Sequence, residues 1–302
     1  MAILVVGSVA FDSVRTPSGC REQILGGSAT YFSVAASYFS PVSLVAVVGD
    51  DFPDEHVAFM QQKGIDLSGL QRQNGKTFFW KGEYGQDMNT AKTVDTQLNV
   101  FADFTPRMRE EHRQFEYLFL GNIDPDLQRS VLEQMRRPKV VACDTMNYWI
   151  SGKRESLKRT LSLVDILVIN DAETKQLAGE ANLIRAAKVI LNWGPGTLVI
   201  KRGEFGVLMI TPKSIFGLPA YPLEEVVDPT GAGDSFAGGF MGCISAAGAT
   251  DEATLRKAVV FGSAMASFNV SEFGLGRLGD LTYPEIEARY KEFQGLTRFD
   301  SV

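Results

Sequence analysis

The segment best suited to chemistry is residues 227–234, VDPTGAGD, and the small-residue run SFAGGFMGCISAAGA follows from position 235. The small residues predict a tightly packed helix that begins near Gly233. The backbone N–H groups of Gly231, Ala232 and Gly233 would then point into solvent at the helix start, where unpaired N–H groups bind anions such as phosphate. Glycine suits these positions because a side chain would keep a phosphate away from the backbone.

Asp234 is the last residue of this segment. The positive end of the helix is expected to keep its carboxylate ionised. An ionised carboxylate beside an anion site can accept a proton from an attacking hydroxyl. The segment therefore predicts a base next to an oxyanion hole, with a glycine-rich turn capped by an aspartate as the structural alternative.

The elements that must position these residues are visible as short apolar runs ending in Gly, Asp or Asn, at 3–7, 42–49, 117–122, 140–144, 166–171 and 197–203. Such near-continuous runs are typical of parallel strands covered on both faces. Helix-like segments lie between them, at 126–137, 151–163 and 172–192. The alternation predicts a layered α/β sheet. Ligands of such sheets bind at the carboxyl ends of the strands, where the polar residues follow.

Residues 76–101 break the alternation, because they are rich in Thr, Phe, Asn and Gly and lack helical periodicity. They predict a few antiparallel strands that form a flap over one end of the sheet. Aromatic side chains of the flap could stack on a nucleobase or on the apolar face of a sugar or cyclitol ring. They could equally form the flap's own core or a dimer contact. These side chains are Phe78, Phe79, Trp80, Tyr84 and Phe101.

The composition is that of an ordinary globular protein. The chain has 302 residues, 45% of them apolar, which excludes a disordered protein. Its 36 acidic and 30 basic residues give a net charge of −6, which argues against nucleic acid as the main partner. Three distant cysteines indicate neither disulfides nor zinc. Without a basic leader or a bilayer-length apolar run, we expect a cytoplasmic protein that is not bound to a membrane.

The segment DPTGAGD resembles the C-terminal motif of the ribokinase-like (PfkB) family of carbohydrate and nucleoside kinases. The resemblance implies that Asp234 deprotonates the acceptor hydroxyl, while the amides of Gly231, Ala232 and Gly233 stabilise the transferred phosphoryl group. Further matches follow in family order along most of the chain. The implied fold is a three-layer αβα domain spanning residues 1–302, with a mostly parallel central sheet and a small β lid formed by residues 11–27 and 74–102.

The same resemblance assigns roles to the other candidate residues. The substrate-binding residues are Asp12, Gly26, Gly27, Ser28 and Asn147. The nucleotide-binding residues are Asn170, Lys201, Gly203, Glu204, Phe205, Ser263 and Asn269. Glu173 is associated with Mg²⁺ through water, and the monovalent-cation residues are Asp228, Thr230 and Gly274. The spacing of Asn170 and Glu173 is also typical of a helix cap, which is the structural alternative for that pair.

The chain departs from the family pattern at two positions. Tyr31 stands where many members carry Asn, so the usual hydroxyl-binding set is altered. Pro229 stands where Thr or Ser is more usual, which removes one donor and leaves the anion hole intact. The G-x-G-x-x-G match at 274–279 lies too close to the C-terminus to open a βαβ unit. The two histidines, His56 and His112, are expected at the surface.

Taken together, these residues imply an ATP-dependent kinase with Mg²⁺, and with K⁺ as a further cofactor, that phosphorylates a hydroxyl of a small sugar or polyol. A nucleoside kinase of the adenosine, inosine or cytidine type is the alternative, because both kinds share the quoted motifs. A ligand-binding homologue without turnover is a third interpretation, which ADP production would exclude. Exposed aromatic residues on the flap are compatible with a homodimer.

Overall fold

The computed structural model describes residues 1–300, which form two β-sheets and two layers of helices. The strands are β1 (Ile3–Val6), β2 (Ala10–Thr16), β3 (Gly19–Gly26), β4 (Val42–Val48), β5 (Ile65–Arg72), β6 (Phe78–Tyr84), β7 (Ala91–Gln97), β8 (Tyr117–Leu120), β9 (Val140–Asp144), β10 (Ile166–Asn170), β11 (Thr197–Lys201), β12 (Val207–Ile210) and β13 (Ile215–Leu218). The helices are α1 (Ser28–Ser37), α2 (Asp54–Gln62), α3 (Pro125–Gln134), α4 (Asn147–Gly152), α5 (Arg154–Leu161), α6 (Asp171–Ala178), α7 (Leu183–Leu191), α8 (Ala232–Ala247), α9 (Glu252–Asn269), α10 (Gly276–Gly279) and α11 (Tyr283–Thr297).

The large sheet has nine strands in the order β13-β12-β11-β10-β9-β8-β1-β4-β5. All six predicted apolar runs are strands of this sheet and pair in parallel, and only the β12 and β13 pairings are antiparallel. The sequence is apolar throughout because both faces are covered. In β1, Ile3 and Val5 pack into one apolar cluster, whereas Leu4 and Val6 pack into the cluster on the opposite face.

The lid is a separate four-stranded sheet in the order β3-β2-β6-β7. Its strands lie within the predicted segments 11–27 and 74–102, except that β2 begins one residue earlier, at Ala10. The antiparallel strands predicted within residues 76–101 are β6 and β7. The two lid segments meet at β2 and β6, which run parallel. Antiparallel hairpins β2-β3 and β6-β7 complete the sheet on either side.

Two predicted helices are interrupted. The segment 172–192 divides into α6 and α7 because Gly179 ends α6 in the left-handed conformation, with φ of 70°, and Asn182 caps α7. The segment 151–163 divides at Lys153, which separates α4 from α5. Helix boundaries of this kind depend on one residue's backbone conformation, which apolar periodicity does not reveal.

Helix α8 is the predicted small-residue helix, and it packs between α1 and α9. A Cβ at Gly238 would lie 2.4 Å from the carbonyl oxygen of Phe32 in α1, and one at Gly239 would lie 2.9 Å from that of Phe261 in α9. The small residues thus allow close helix packing, which fixes the start of α8. Within residues 1–300, no helix is both long and apolar enough to cross a membrane.

Candidate active site

The start of α8 presents unpaired backbone donors, as predicted, but not the predicted set. Among the described residues, the N–H groups of Gly231, Gly233 and Asp234 donate to no protein acceptor. The N–H of Ala232 instead donates to the carbonyl oxygen of Pro229 at 3.2 Å, so the expectation that it points into solvent was wrong. The turn closes tightly onto Pro229, and the anion site consists of the other three N–H groups.

Asp234 is half-buried beside these donors. Burial and the neighbouring Asp144 carboxylate raise the pKa of Asp234 to about 7, whereas the Lys201 ammonium lowers it. The helix end therefore does not keep this carboxylate fully ionised, and both its acid and its base form are present near pH 7. A carboxylate with a pKa near the working pH suits general-base catalysis.

Lys201, a predicted nucleotide-binding residue, brings its ammonium group to the start of α8. A Cβ built on Gly233 would be 2.6 Å from Lys201 Nζ, so the ammonium group contacts the backbone of the helix start. Lys201 Nζ is also 3.5 Å from Asp144 Oδ2. The carboxylates of Asp144, Glu173 and Asp234 all raise the pKa of Lys201, which keeps it charged despite its burial.

Asp144 was absent from the predicted site residues. It is the last residue of β9, next to β10 in the sheet, and its side chain is buried. Its position at the carboxyl end of a predicted strand was the signal that could have identified it. The motif comparison selected Asn147 instead, which is exposed at the start of α4 and forms no side-chain hydrogen bond within residues 1–300.

Asn170 and Glu173 form the helix cap that their spacing indicated. Asn170 Oδ1 accepts from the Glu173 N–H at 2.8 Å, and Glu173 Oε2 accepts from the Asn170 N–H at 3.1 Å. Burial and the Asp144 carboxylate raise the pKa of Glu173 to about 7. Asp144 also acts on Asp234, so that Asp144, Glu173 and Asp234 form an acidic cluster. Glu173 can therefore both cap α6 and take part in the candidate site.

The acidic cluster does not form a direct metal cage. Within the described part of the chain, no three His, Cys, Asp or Glu side chains are arranged to hold a metal ion. Asp144 nevertheless contacts the Lys201 ammonium group beside Gly233, and its charge acts on Glu173. This arrangement fits Mg²⁺, which keeps several of its waters and binds through few carboxylates together with substrate phosphates.

Asp12 lies on lid strand β2 and is buried. Its carboxylate packs against Gly26, where a Cβ would lie 2.0 Å from Oδ2. Burial raises the pKa of Asp12 to about 7, and the charges of Asp228 and Asp234 add to the effect. The predicted substrate carboxylate and the predicted base are therefore neighbours.

Ser28 is engaged within the protein. Its Oγ lies 3.1 Å from Ser8 Oγ and accepts from the Ser8 N–H at 3.3 Å, while the Ser28 N–H donates to Ser8 Oγ at 3.0 Å. This reciprocal pair joins the end of β1 to the start of α1. It positions the Gly26-Gly27 turn beneath Asp12.

The predicted nucleotide residues separate into two groups. Gly203, Glu204 and Phe205 form a short 3₁₀ helix after β11 with Phe205 66% exposed, and Ser263 is half-buried on α9. Asn269 is instead buried: its Nδ2 donates to the Thr230 carbonyl at 2.7 Å, and its Oδ1 accepts from Ser235 Oγ at 2.9 Å. Its amide holds the turn before the anion site.

The three predicted cation residues converge. The fully buried Asp228 accepts through Oδ1 from the Thr230 N–H at 2.9 Å and through Oδ2 from the Gly274 N–H at 3.0 Å. The lid is bonded to the same loop. Thr230 Oγ1 donates to the Tyr84 hydroxyl at 3.3 Å, and Thr16 Oγ1 donates to the Val227 carbonyl at 2.8 Å.

The flap aromatics divide between a core and the cleft. Phe78 stacks on Phe101 with ring centroids 5.2 Å apart, so these two residues form part of the flap's own core. Trp80 pairs with Asp12 in register, and its ring covers Gly82. Because paired residues of neighbouring strands share a face, Trp80 lies on the cleft side of the lid with Asp12 and Tyr84.

The histidines lie outside the site. His112 is fully buried in a 3₁₀ helix with Nε2 3.1 Å from Ser68 Oγ, so its predicted surface position was wrong. His56 is half-buried against the rings of Phe11 and Phe52. Neither histidine contributes to the acidic cluster.

The fold has three layers, αβα, with a lid, and it places a carboxylate beside a candidate anion site at a helix start. These features together define a phosphotransferase-like site. The model of the pfkB family of carbohydrate kinases matches residues 2–279, and the chain belongs to this family. The predictions of family, fold class and kinase activity are confirmed.

Named relatives cover most of the chain. Cytidine kinase from Thermococcus kodakarensis is 31% identical over 245 residues, which are 79% of this chain and 87% of that protein. Aminoimidazole riboside kinase from Salmonella typhimurium is 28% identical over 304 residues, with 94% and 92% covered. A solved E. coli structure described as a ribokinase II with ATP and Mg²⁺ shares the fold at a TM-score of 0.78 and 19% identity, with 96% and 99% covered.

Proposed function

We propose that the protein transfers the γ-phosphoryl group of ATP to a hydroxyl of a riboside, that is, of a nucleoside or nucleoside-like compound. The observation that carries the transfer step is the position of Asp234. Its carboxyl, with a pKa of about 7, stands beside the unpaired N–H groups of Gly231 and Gly233 and near the Lys201 ammonium. A base, an anion site and a fixed positive charge are the parts that phosphoryl transfer to an alcohol requires.

The proposed step balances within this site. The acceptor oxygen forms a bond to the γ-phosphorus, its proton passes to the Asp234 carboxylate, and the bond to the leaving ADP oxygen breaks. The N–H groups and Lys201 stabilise the equatorial oxygens of the transferred group. Mg²⁺, when bound, neutralises charge on the phosphates, and Glu173 would hold it through water.

The nucleotide is proposed to lie along Gly203, Glu204, Phe205 and Ser263, beyond the anion site. Asn170 would border its phosphates through the cap at the start of α6. A monovalent cation such as K⁺ is proposed next to Asp228, because each of its carboxylate oxygens accepts one N–H and keeps a lone pair.

The acceptor is proposed to lie between Asp12 and Asp234 under the lid. The Asp12 carboxylate can accept bonds from sugar hydroxyls. Trp80, on the same face of the lid, offers an aromatic surface for a base. Both named relatives quoted above act on ribosides by their names, which favours the nucleoside alternative over the simple sugar or polyol expected first.

The test is substrate-dependent ADP release with cytidine, inosine, ribose, fructose and myo-inositol as acceptors. We expect a higher kcat/KM for the ribosides than for the free sugars. Asp234→Asn should lose on the order of 10²- to 10⁴-fold in kcat and still bind ATP. Asp103→Asn, which removes the charge of an exposed aspartate, should match the wild type.

Each other outcome excludes part of the proposal. Turnover of ribose, fructose or myo-inositol alone would return the assignment to a sugar or polyol kinase. Saturable binding of an acceptor without ADP release would favour the non-catalytic interpretation. Near-normal turnover by Asp234→Asn would remove Asp234 from its role as the base.

A further inference from the structure

Tyr31 connects helix α1 to the start of α8. It lies in the first turn of α1 and is 1% exposed, with its N–H donating to the Gly27 carbonyl at 3.2 Å. Its ring packs on the backbone of Gly231, where a Cβ would be 2.4 Å from the ring atoms Cγ and Cδ1. The phenol ring of Tyr31 is therefore in contact with the start of α8.

The hydroxyl of Tyr31 is buried and has no hydrogen-bond partner among the described residues. Burying a hydroxyl without a partner is destabilising, so such groups are rare unless a ligand or water completes them. Thr30 and Ser33 of the same helix also lack partners. Their short side chains can rotate to bond a carbonyl of their own helix, whereas the phenol hydroxyl is held away from the backbone by the ring.

The surroundings of this hydroxyl are acidic. Burial raises the pKa of Tyr31 well above its ordinary value, and the carboxylates of Asp12, Asp228 and Asp234 and the hydroxyl of Tyr84 raise it further. Tyr31 therefore stays protonated and can donate a hydrogen bond. The groups that face it include both the predicted substrate carboxylate and the predicted base.

We propose that Tyr31 is a specificity-determining residue whose hydroxyl donates a hydrogen bond to the acceptor substrate between Asp12 and Asp234. The inference rests on the proposed function and adds a residue to it. The acceptor supplies the partner that the protein lacks. The ring, fixed against Gly231, sets how close the acceptor hydroxyl comes to the transferred phosphoryl group.

Tyr31→Phe tests this proposal because it removes only the hydroxyl. The ligand-free variant should unfold at the same temperature as the wild type or higher, since an unpartnered buried group is lost. The KM for the panel acceptor with the highest wild-type kcat/KM should rise about tenfold, the factor expected from one hydrogen bond of ordinary strength. The KM for ATP should stay within about twofold of the wild-type value, because the lost bond is made to the acceptor.

The matched control is Tyr117→Phe. Tyr117 is also 1% exposed, but it begins β8 and therefore lies at the amino edge of the sheet, away from the cleft. This variant should leave both KM values unchanged. The stabilisation that the same acceptor produces in thermal unfolding without ATP should fall in Tyr31→Phe and not in the control.

Two results would overturn the role of Tyr31. An acceptor KM within about twofold of wild type would show that the hydroxyl does not contact the acceptor. A lower unfolding temperature of ligand-free Tyr31→Phe would show that the hydroxyl is bonded inside the protein. If the wild type turns over no panel member, the proposed function itself fails, and this inference fails with it.

Discussion

The ammonium group of Lys201 lies against the backbone of Gly233, so that a Cβ at position 233 would be 2.6 Å from Nζ. Lys201 ends β11, and Gly233 is the second residue of α8. The contact therefore brings a fixed positive charge from the sheet to the unpaired N–H groups of the helix start. An anion bound at the helix start would meet both the charge and the backbone donors, and the low-dielectric surroundings would strengthen both interactions.

Gly233→Ala should lower kcat while leaving the fold intact. The new methyl group would meet the end of a flexible lysine side chain, which can shift, so we expect a stable protein with a displaced ammonium group. The expected loss is on the order of 10²-fold, the scale for one lost donor at an oxyanion site. Steady-state kinetics with unfolding curves would measure both effects.

The control for this variant is Gly295→Ala, because the space around a Cβ at that helix position is open. It should keep full activity and be slightly more stable, as glycine replacement in a helix usually is. Lys201→Met should reproduce the kinetic defect of Gly233→Ala. A normal kcat in Lys201→Met would exclude the ammonium group from the transfer step.

The pH dependence of kcat should report the environment of Asp234. Its pKa of about 7 means that the base form grows as the pH rises, so kcat should increase from pH 6 to pH 8 and then level off. In Asp144→Asn the repulsion from the neighbouring carboxylate is gone, so the midpoint should move to lower pH. A pH-rate profile of each enzyme measures the shift, and an unchanged midpoint would contradict the coupling.

The strand ends and the helix start could be predicted from the sequence because they are local features. Near-continuous apolar runs mark buried parallel strands, and the glycines and aspartate of the DPTGAGD segment are contiguous in the chain. The structure placed both where expected. The unpaired donors at Gly231 and Gly233 follow from this local geometry.

The parts that could not be predicted depend on residues from distant segments. The Lys201–Asp144 pair joins β11 to β9 through β10, and the contact of Tyr31 with Gly231 joins α1 to α8. The helix end alone suggested an ionised Asp234. Burial and Asp144 outweigh that local effect, and neither is visible in the neighbouring sequence.

Potassium should stimulate the enzyme if the Asp228 loop holds a cation. We expect a severalfold lower kcat when choline replaces K⁺ at equal ionic strength, because the uncompensated Asp228 charge lies near Asp12. Unfolding temperatures in the two salts would show whether the loop also loses stability. Equal rates in K⁺ and choline would indicate that the N–H groups of Thr230 and Gly274 suffice to hold Asp228.

The cleft carboxylates should make the ligand-free protein less stable as the pH rises. In the folded protein the pKa of Asp12 is about 7, above the 3.8 of an ordinary aspartate, so the folded state binds the proton more tightly than the unfolded chain. The stabilisation from this difference is fully present below about pH 4 and is lost as the pH rises through 7. The pKa of Asp234 is also raised to about 7, so its contribution to stability is lost over the same pH range.

Asp12→Asn should therefore raise the unfolding temperature of the ligand-free protein, and the gain should be larger at pH 8 than at pH 5. The amide stays neutral at every pH, so the cost of burying a charge disappears where the wild type is ionised. Thermal unfolding of both proteins from pH 5 to pH 8 measures the difference, with Asp103→Asn as the exposed control. A gain that does not grow with pH would show that Asp12 ionises in the folded protein as readily as in the unfolded chain, and that the cleft does not destabilise its charge.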